Sequence, residues 1–146
     1  MRGVLLGIVL AGWFIACMRT PDVEPEWQKH WRLENEIMIR WEEIRKFRHE
    51  AGMDLEPAPS DVIQWLKVPP QKVKAVCSNG NNAPKQCHDI CNLADDICDN
   101  MEHICDLADQ LGKSDGFAQQ KCSSAKGSCS EARQRCCGCA KKDVTP

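Results

Sequence analysis

The side chains with the clearest capacity for chemistry are the cysteines, eleven of them in a chain of 146 residues. Six fall into two sets in which the cysteines are seven residues apart: Cys91, Cys98 and Cys105, then Cys122, Cys129 and Cys136. Cysteines at such a spacing could form disulfides, bind a soft metal ion as thiolates, or carry out thiol redox chemistry. Which of these applies depends on the elements that hold them.

The first set lies in a segment that repeats every seven residues, with the heptads CNLADDI, CDNMEHI and CDLADQL running from Cys91 to Leu111. A seven-residue period returns to nearly the same face of an α-helix, because it falls about 20° short of two turns. The segment therefore predicts a helix with its cysteines in one line, ended by Gly112. A turn follows, and Ser114 or Asp115 is a candidate cap for a second helix.

The two cysteine sets match each other as the arms of an antiparallel hairpin. Facing residues in such a hairpin have residue numbers with a constant sum, and three pairs meet that condition: Cys105–Cys122, Cys98–Cys129 and Cys91–Cys136. For the pair Cys87–Cys139 the sum of the residue numbers is smaller by one. Helix axes about 10 Å apart bring facing Cα atoms to roughly the separation that a disulfide needs. We predict a disulfide ladder, with Cys77–Cys137 as a fifth bond assigned by elimination.

Charged residues beside the cysteines fit the same register. Asp95 is expected to face Arg133, and Glu102 is expected to face Lys126. Exposed ion pairs contribute only ~0–1 kcal/mol each, yet they favour this register over a slipped one.

Metal binding competes for the same sulfur atoms. Zn²⁺ could be held tetrahedrally by four thiolates at the open end of the hairpin: Cys87, Cys91, Cys136 and Cys139. Alternatively, reduced cysteines between the two helices could hold Cu(I), a soft ion that thiolates suit. Disulfides are preferred because they form and persist outside the cytosol, so no cofactor is expected.

Catalysis finds little support in the sequence. The C-x-x-C of Cys136 and Cys139 lacks the βαβ pattern of thioredoxin-like proteins. The chain also offers no nucleophile with a placed base, no phosphate-binding glycine loop and no convergent carboxylates. A net charge of −2 does not indicate a nucleic-acid partner. We expect a protein that is not an enzyme.

The N-terminal residues predict export. Arg2 precedes an uncharged apolar run that ends at Cys17, and this run is shorter than the roughly 20 residues needed to span a bilayer. Its end, WFIAC, resembles the lipobox of bacterial lipoproteins, which implies a signal peptide over residues 1–16, lipid on Cys17 and a lipidated tether over residues 17–24. Acylation of Cys17 leaves an even number of cysteines to pair. By resemblance to enterobacterial sorting, the absence of Asp at position 18 favours the outer membrane.

Composition divides the remaining chain. Residues 25–51 predict an amphipathic helix rich in tryptophan, with Pro in its first turn and Gly after its end. Residues 52–76 are rich in proline and typical of a linker, in which SDVIQWL predicts a short helix near residues 60–67. Residues 77–140 form the cysteine-rich hairpin, and residues 141–146 form a tail.

An apolar stripe beside the cysteines is too long for the hairpin to cover alone. It consists of Ile90, Ile97, Ile104 and Leu111. The nearest cover is the tryptophan-rich helix, which would complete a three-helix arrangement, and we expect the stripe to be core. The alternative is a docking face for a protein partner or the membrane, shared with Trp27, Trp31 and Trp41.

The predicted fold is all-α, and it resembles the coiled-coil-helix-coiled-coil-helix class, in which disulfides staple two antiparallel helices. The resemblance concerns architecture alone, because the spacing here is C-x6-C and that class has a longer one. The heptads CNLAD and CDLAD and the terminal CCGC are also similar to uncharacterised cysteine-rich secreted proteins of bacteria, over about residues 77–140. These resemblances imply no activity. We expect a lipid-anchored structural or interaction protein of the bacterial cell envelope.

Overall fold

The computed structural model describes residues 24–76 and 85–142 of the chain. The predicted signal peptide, Cys17 and Cys77 lie outside the described residues. The described part is helical and contains no strand, which confirms the all-α prediction. Its helices are α1 (Glu26–Glu50), α2 (Pro59–Trp65), α3 (Pro70–Lys74), α4 (His88–Leu111) and α5 (Gly116–Lys142), with a 3-10 turn at Lys85–Cys87 before α4.

The α4–α5 hairpin turns where the sequence predicts. Gly112 has a φ of 92°, a backbone conformation that residues with a Cβ rarely adopt, and it ends α4. Asp115 caps α5, because its Oδ1 accepts a hydrogen bond of 2.8 Å from the backbone N–H of Ala118. Gln119 donates from its side-chain amide to the carbonyl oxygens of Ala108 and Gly112, which ties the first turn of α5 to the end of α4.

Helix α1 packs across the hairpin and covers the apolar stripe. Ile97 and Ile104 are fully buried, and Ile90 and Leu111 are half-buried. From α1, the buried face consists of Leu33, Ile37, Trp41, Ile44 and Arg48. The three-helix arrangement therefore holds, and the docking alternative is wrong for Ile97, Ile104 and Trp41, since these side chains form the core.

The segment between α1 and α4 is more structured than a linker. The short helix predicted near residues 60–67 is α2, whereas α3 was not anticipated. Pro70 at the start of α3 suits the first turn of a helix, because its missing N–H has no partner there. Both helices pack against α5, and Val73 of α3 is fully buried. Prolines in this segment therefore begin helices and do not only interrupt them.

Arg48 attaches the start of this segment to the helices. Its guanidinium is fully buried, and it donates to the carbonyl oxygens of Asp54 and Glu56 at 2.7 and 3.0 Å. It also donates to Glu131 Oε2 of α5 at 2.8 Å. A buried charge is tolerated when it is paired and hydrogen-bonded, and these three contacts supply the pairing through Nε and Nη2, whereas the buried Nη1 has no hydrogen-bond partner among the described residues.

Candidate functional site: the disulfide ladder and the tryptophan cleft

The cysteines between α4 and α5 form a ladder of four disulfides. The bonds join Cys105 to Cys122, Cys98 to Cys129, Cys91 to Cys136 and Cys87 to Cys139. The first three are the pairs that the heptad register predicts, and the fourth is the predicted pair whose sum of residue numbers differs by one. The fifth predicted pair, Cys77–Cys137, stays a prediction because Cys77 lies outside the described residues.

The two helices approach more closely than the sequence argument assumed. The Cα atoms of Cys98 and Cys129 are 4.7 Å apart, and the same distance separates Cys105 from Cys122. Alanines explain the approach, because small side chains between the rungs and next to the innermost one leave room for close contact of the backbones. These alanines are almost completely buried: Ala94, Ala108, Ala118, Ala125 and Ala132.

In this structure the cysteines considered as metal ligands are oxidised to disulfides. The four cysteines considered for Zn²⁺ are divided between two disulfides, Cys87–Cys139 and Cys91–Cys136. A disulfide sulfur is not a thiolate, and only the thiolate is a strong metal ligand. Cys136 and Cys139 of the C-x-x-C motif are also bonded to different partners, so they do not form the internal redox pair of a thioredoxin-like site.

One of the two predicted ion pairs between α4 and α5 forms. Arg133 Nη2 lies 2.6 Å from Asp95 Oδ1. The Glu102–Lys126 pair is wrong, because Lys126 turns away and donates to the carbonyl oxygen of Leu66. Burial lowers the pKa of the Lys126 ammonium, since desolvation disfavours its charged form.

Lys74 of α3 takes the place that Lys126 was expected to fill. Its Nζ lies 2.7 Å from both Asp99 Oδ1 and Glu102 Oε2. Hydrogen bonds to Asp99 and then to Glu102 raise the pKa of Lys74 above its usual range, because both carboxylates favour the charged ammonium. The acidic face of α4 is therefore partly neutralised by a helix that the sequence did not predict.

The first turns of α1 carry the exposed aromatic surface of the described protein. Trp27 and Trp31 are 73% and 64% exposed, one helical turn apart. Together with Leu111 at the end of α4, they line an open cleft of about 860 Å³, which we call the tryptophan cleft. Of the seven residues proposed as a docking face, Trp27 and Trp31 are the exposed ones.

The same cleft contains polar residues that the sequence argument missed. His30 and Glu34 line it, and His30 contacts Asp115 in the hairpin turn. The i, i+4 spacing of His30 and Glu34 on α1 could have predicted that the two side chains lie together, because residues four apart share a helix face. The contact of His30 with Asp115 could not have been predicted from the sequence, since it depends on how α1 crosses the hairpin.

None of the described helices is long and apolar enough to cross a bilayer. Comparisons of the chain with models of known protein families, with curated proteins and with solved structures find no match.

Proposed function

We propose that the chain is an exported, lipid-anchored, non-enzymatic structural or interaction protein of the bacterial cell envelope. The observation that carries this proposal is the disulfide ladder, whose four bonds join α4 and the 3-10 turn before it to α5. Disulfides of this density belong to oxidising compartments and are rare in the cytosol. Because their sulfur atoms are in disulfides, these cysteines act as covalent cross-links between the two arms of the hairpin.

The energetics of the ladder suit a scaffold exposed to proteases. The bonds close chain segments with sequence separations from 17 to 52 residues. A disulfide that closes a loop of this size contributes about 3–4 kcal/mol by restricting the unfolded chain. Nested loops share part of that restriction, so the four contributions do not add in full. Even two such contributions exceed the ~3–5 kcal/mol that a small core supplies alone.

The lipid anchor of the proposal rests on Cys17 and on the resemblance of WFIAC to a lipobox. Glu26 begins α1 nine residues after Cys17, and a chain of that length reaches at most about 30 Å. An acyl chain on Cys17 therefore keeps the tryptophan cleft near the bilayer surface. Trp27 and Trp31 remain available to a protein partner in that position, and tryptophan is enriched among residues that dominate binding energy at interfaces.

Metabolic labelling tests the anchor. The full precursor is expressed in a Gram-negative host with radiolabelled palmitate, beside the variants Cys17→Ala and Cys77→Ala. We expect label in the wild type and in Cys77→Ala, and none in Cys17→Ala. Equal labelling of Cys17→Ala, or no label in any form, contradicts the anchor.

Thiol mapping tests the structural role independently of the anchor. Alkylation of the exported protein before reduction should find the ladder cysteines blocked, and peptide mapping should join Cys98 to Cys129. Free thiols together with stoichiometric zinc or copper would instead support a thiolate metal-binding protein, the alternative function that the sequence left open.

A further inference from the structure

A histidine lies between two carboxylates where α1 crosses the turn of the hairpin. His30 Nε2 is 2.9 Å from Asp115 Oδ2, and His30 Nδ1 is 3.6 Å from Glu34 Oε2. One potential ligand atom from each of the three residues lies within 4.8 Å of the other two. We propose that His30, Glu34 and Asp115 bind a divalent transition-metal ion, with Zn²⁺ as the ion that the donor set suits best.

The donor set and its spacing support this assignment. Zn²⁺ binds imidazole nitrogen and carboxylate oxygen at about 2.0–2.2 Å, so two ligand atoms in a tetrahedral site lie roughly 3.3–3.6 Å apart. The separation of His30 Nε2 and Asp115 Oδ2, 2.9 Å, is a few tenths of an ångström shorter than that spacing, and the 3.6 Å contact of Glu34 is made to the other ring nitrogen. The ion uses one imidazole nitrogen, and the Glu34 carboxylate turns toward that nitrogen to complete the site. Glu34 has the freedom to do so, because its side chain is 35% exposed.

The fold holds one of the ligands firmly in place. Asp115 accepts the capping hydrogen bond from Ala118 through Oδ1, which leaves Oδ2 directed at His30. Its side chain is only 8% exposed, so its charge is poorly screened by water. His30 and Glu34 come from one face of α1, because they are four residues apart. The site therefore joins α1 to the hairpin turn without involving a cysteine.

A metal ion bound by these three residues would keep one coordination position that the protein does not fill. Three protein ligands leave a fourth coordination position for water or for an external ligand, as in zinc sites that are not purely structural. His30 and Glu34 also line the tryptophan cleft, so the proposed site borders that cleft. An anionic group on an apolar molecule is the ligand chemistry that fits this combination. The metal site itself does not depend on the lipid anchor or on the proposed envelope location.

Calorimetric titration with zinc chloride tests the site in the oxidised protein, after alkylation has shown that no thiol is available. The variants are His30→Ala, Glu34→Gln and Asp115→Asn. Asn is as good a helix cap as Asp, so Asp115→Asn removes the charge and keeps the cap of α5. The matched control is His49→Ala, which removes an exposed histidine from the other end of α1.

We expect one Zn²⁺ per chain in the wild type and in His49→Ala, and at least a tenfold loss of affinity in each of the three site variants. Circular dichroism should show the same helical content in all five proteins. If His30→Ala or Asp115→Asn disturbs the fold, the partly exposed Glu34→Gln decides the question. Absence of binding in the wild type, or equal affinity in the wild type and the folded site variants, overturns the proposal.

Discussion

Gly127 in the middle of α5 offers the most direct test of how α2 packs on the hairpin. A Cβ placed on Gly127 would lie 3.3 Å from Pro57 Cβ, from Val62 Cγ2 and from the backbone nitrogen of Val62. Gly138 in the same helix has no such neighbour within 4 Å. The substitutions Gly127→Ala and Gly138→Ala therefore add the same methyl group to one helix in two different environments.

The expected difference follows from two opposing terms. Alanine is favoured over glycine inside a helix by about 0.5–1 kcal/mol, and both variants receive that gain. An added methyl group in a well-packed contact costs about 1–3 kcal/mol, and this cost falls on Gly127→Ala alone. We expect Gly138→Ala to raise the free energy of unfolding by about 0.5–1 kcal/mol. Gly127→Ala should be neutral or lower it by up to about 2.5 kcal/mol.

Urea unfolding of the oxidised proteins, followed by far-UV circular dichroism, measures both values. The comparison between the two variants matters more than either value alone, because the helix-propensity gain cancels. Limited proteolysis supplies a second readout, since displacement of α2 should speed cleavage near residues 57–66 in Gly127→Ala only. If Gly127→Ala gains as much stability as Gly138→Ala and shows no added cleavage, α2 does not pack on α5 as described.

Three further substitutions test other parts of the structure. Ile97→Glu places a carboxylate in the fully buried contact between α4 and α1, so α1 should become sensitive to protease in the otherwise oxidised protein; unchanged resistance would show that the stripe is not core. Replacing Cys98 and Cys129 together by Ala should lower the free energy of unfolding by about 2–4 kcal/mol in urea titration, and no change would mean that this bond adds nothing to its neighbours. The raised pKa of Lys74 stabilises the fold fully below the pKa of the unfolded lysine, about 10.4, and this contribution disappears as the pH rises through the folded value. Wild-type protein should therefore lose more stability than Lys74→Met between pH 9 and pH 12, roughly the range in which lysine titrates, and parallel loss would contradict the assigned pairing.

The hairpin was predictable because its signals are local and periodic. Cysteines at every seventh residue specify one helix face, and Gly112 and Asp115 specify the turn by their backbone preferences. Once both arms are helical, the shared register leaves little freedom in pairing the cysteines. The cover by α1 was also predictable, since Ile97 and Ile104 needed an apolar partner.

The packing of α2 and α3 was not predictable by the same means. The surface that receives α2 includes Gly127, and a residue without a side chain gives no apolar signal. The displacement of Lys126 by Lys74 has a related cause, because α3 reaches the acidic face of α4 only through the tertiary fold. The contact of His30 with Asp115 joins residues distant in sequence, and no periodicity relates them.

The order of the disulfides has a topological consequence for a chain that meets proteases. The four bonds between described residues are nested, with Cys105–Cys122 innermost and Cys87–Cys139 outermost, and none of these four crosses another. A peptide bond cut anywhere in the turn between Cys105 and Cys122 separates the two arms of the backbone, yet all four bonds still link them. The nicked molecule remains one covalent unit, with its helices held in register at four points.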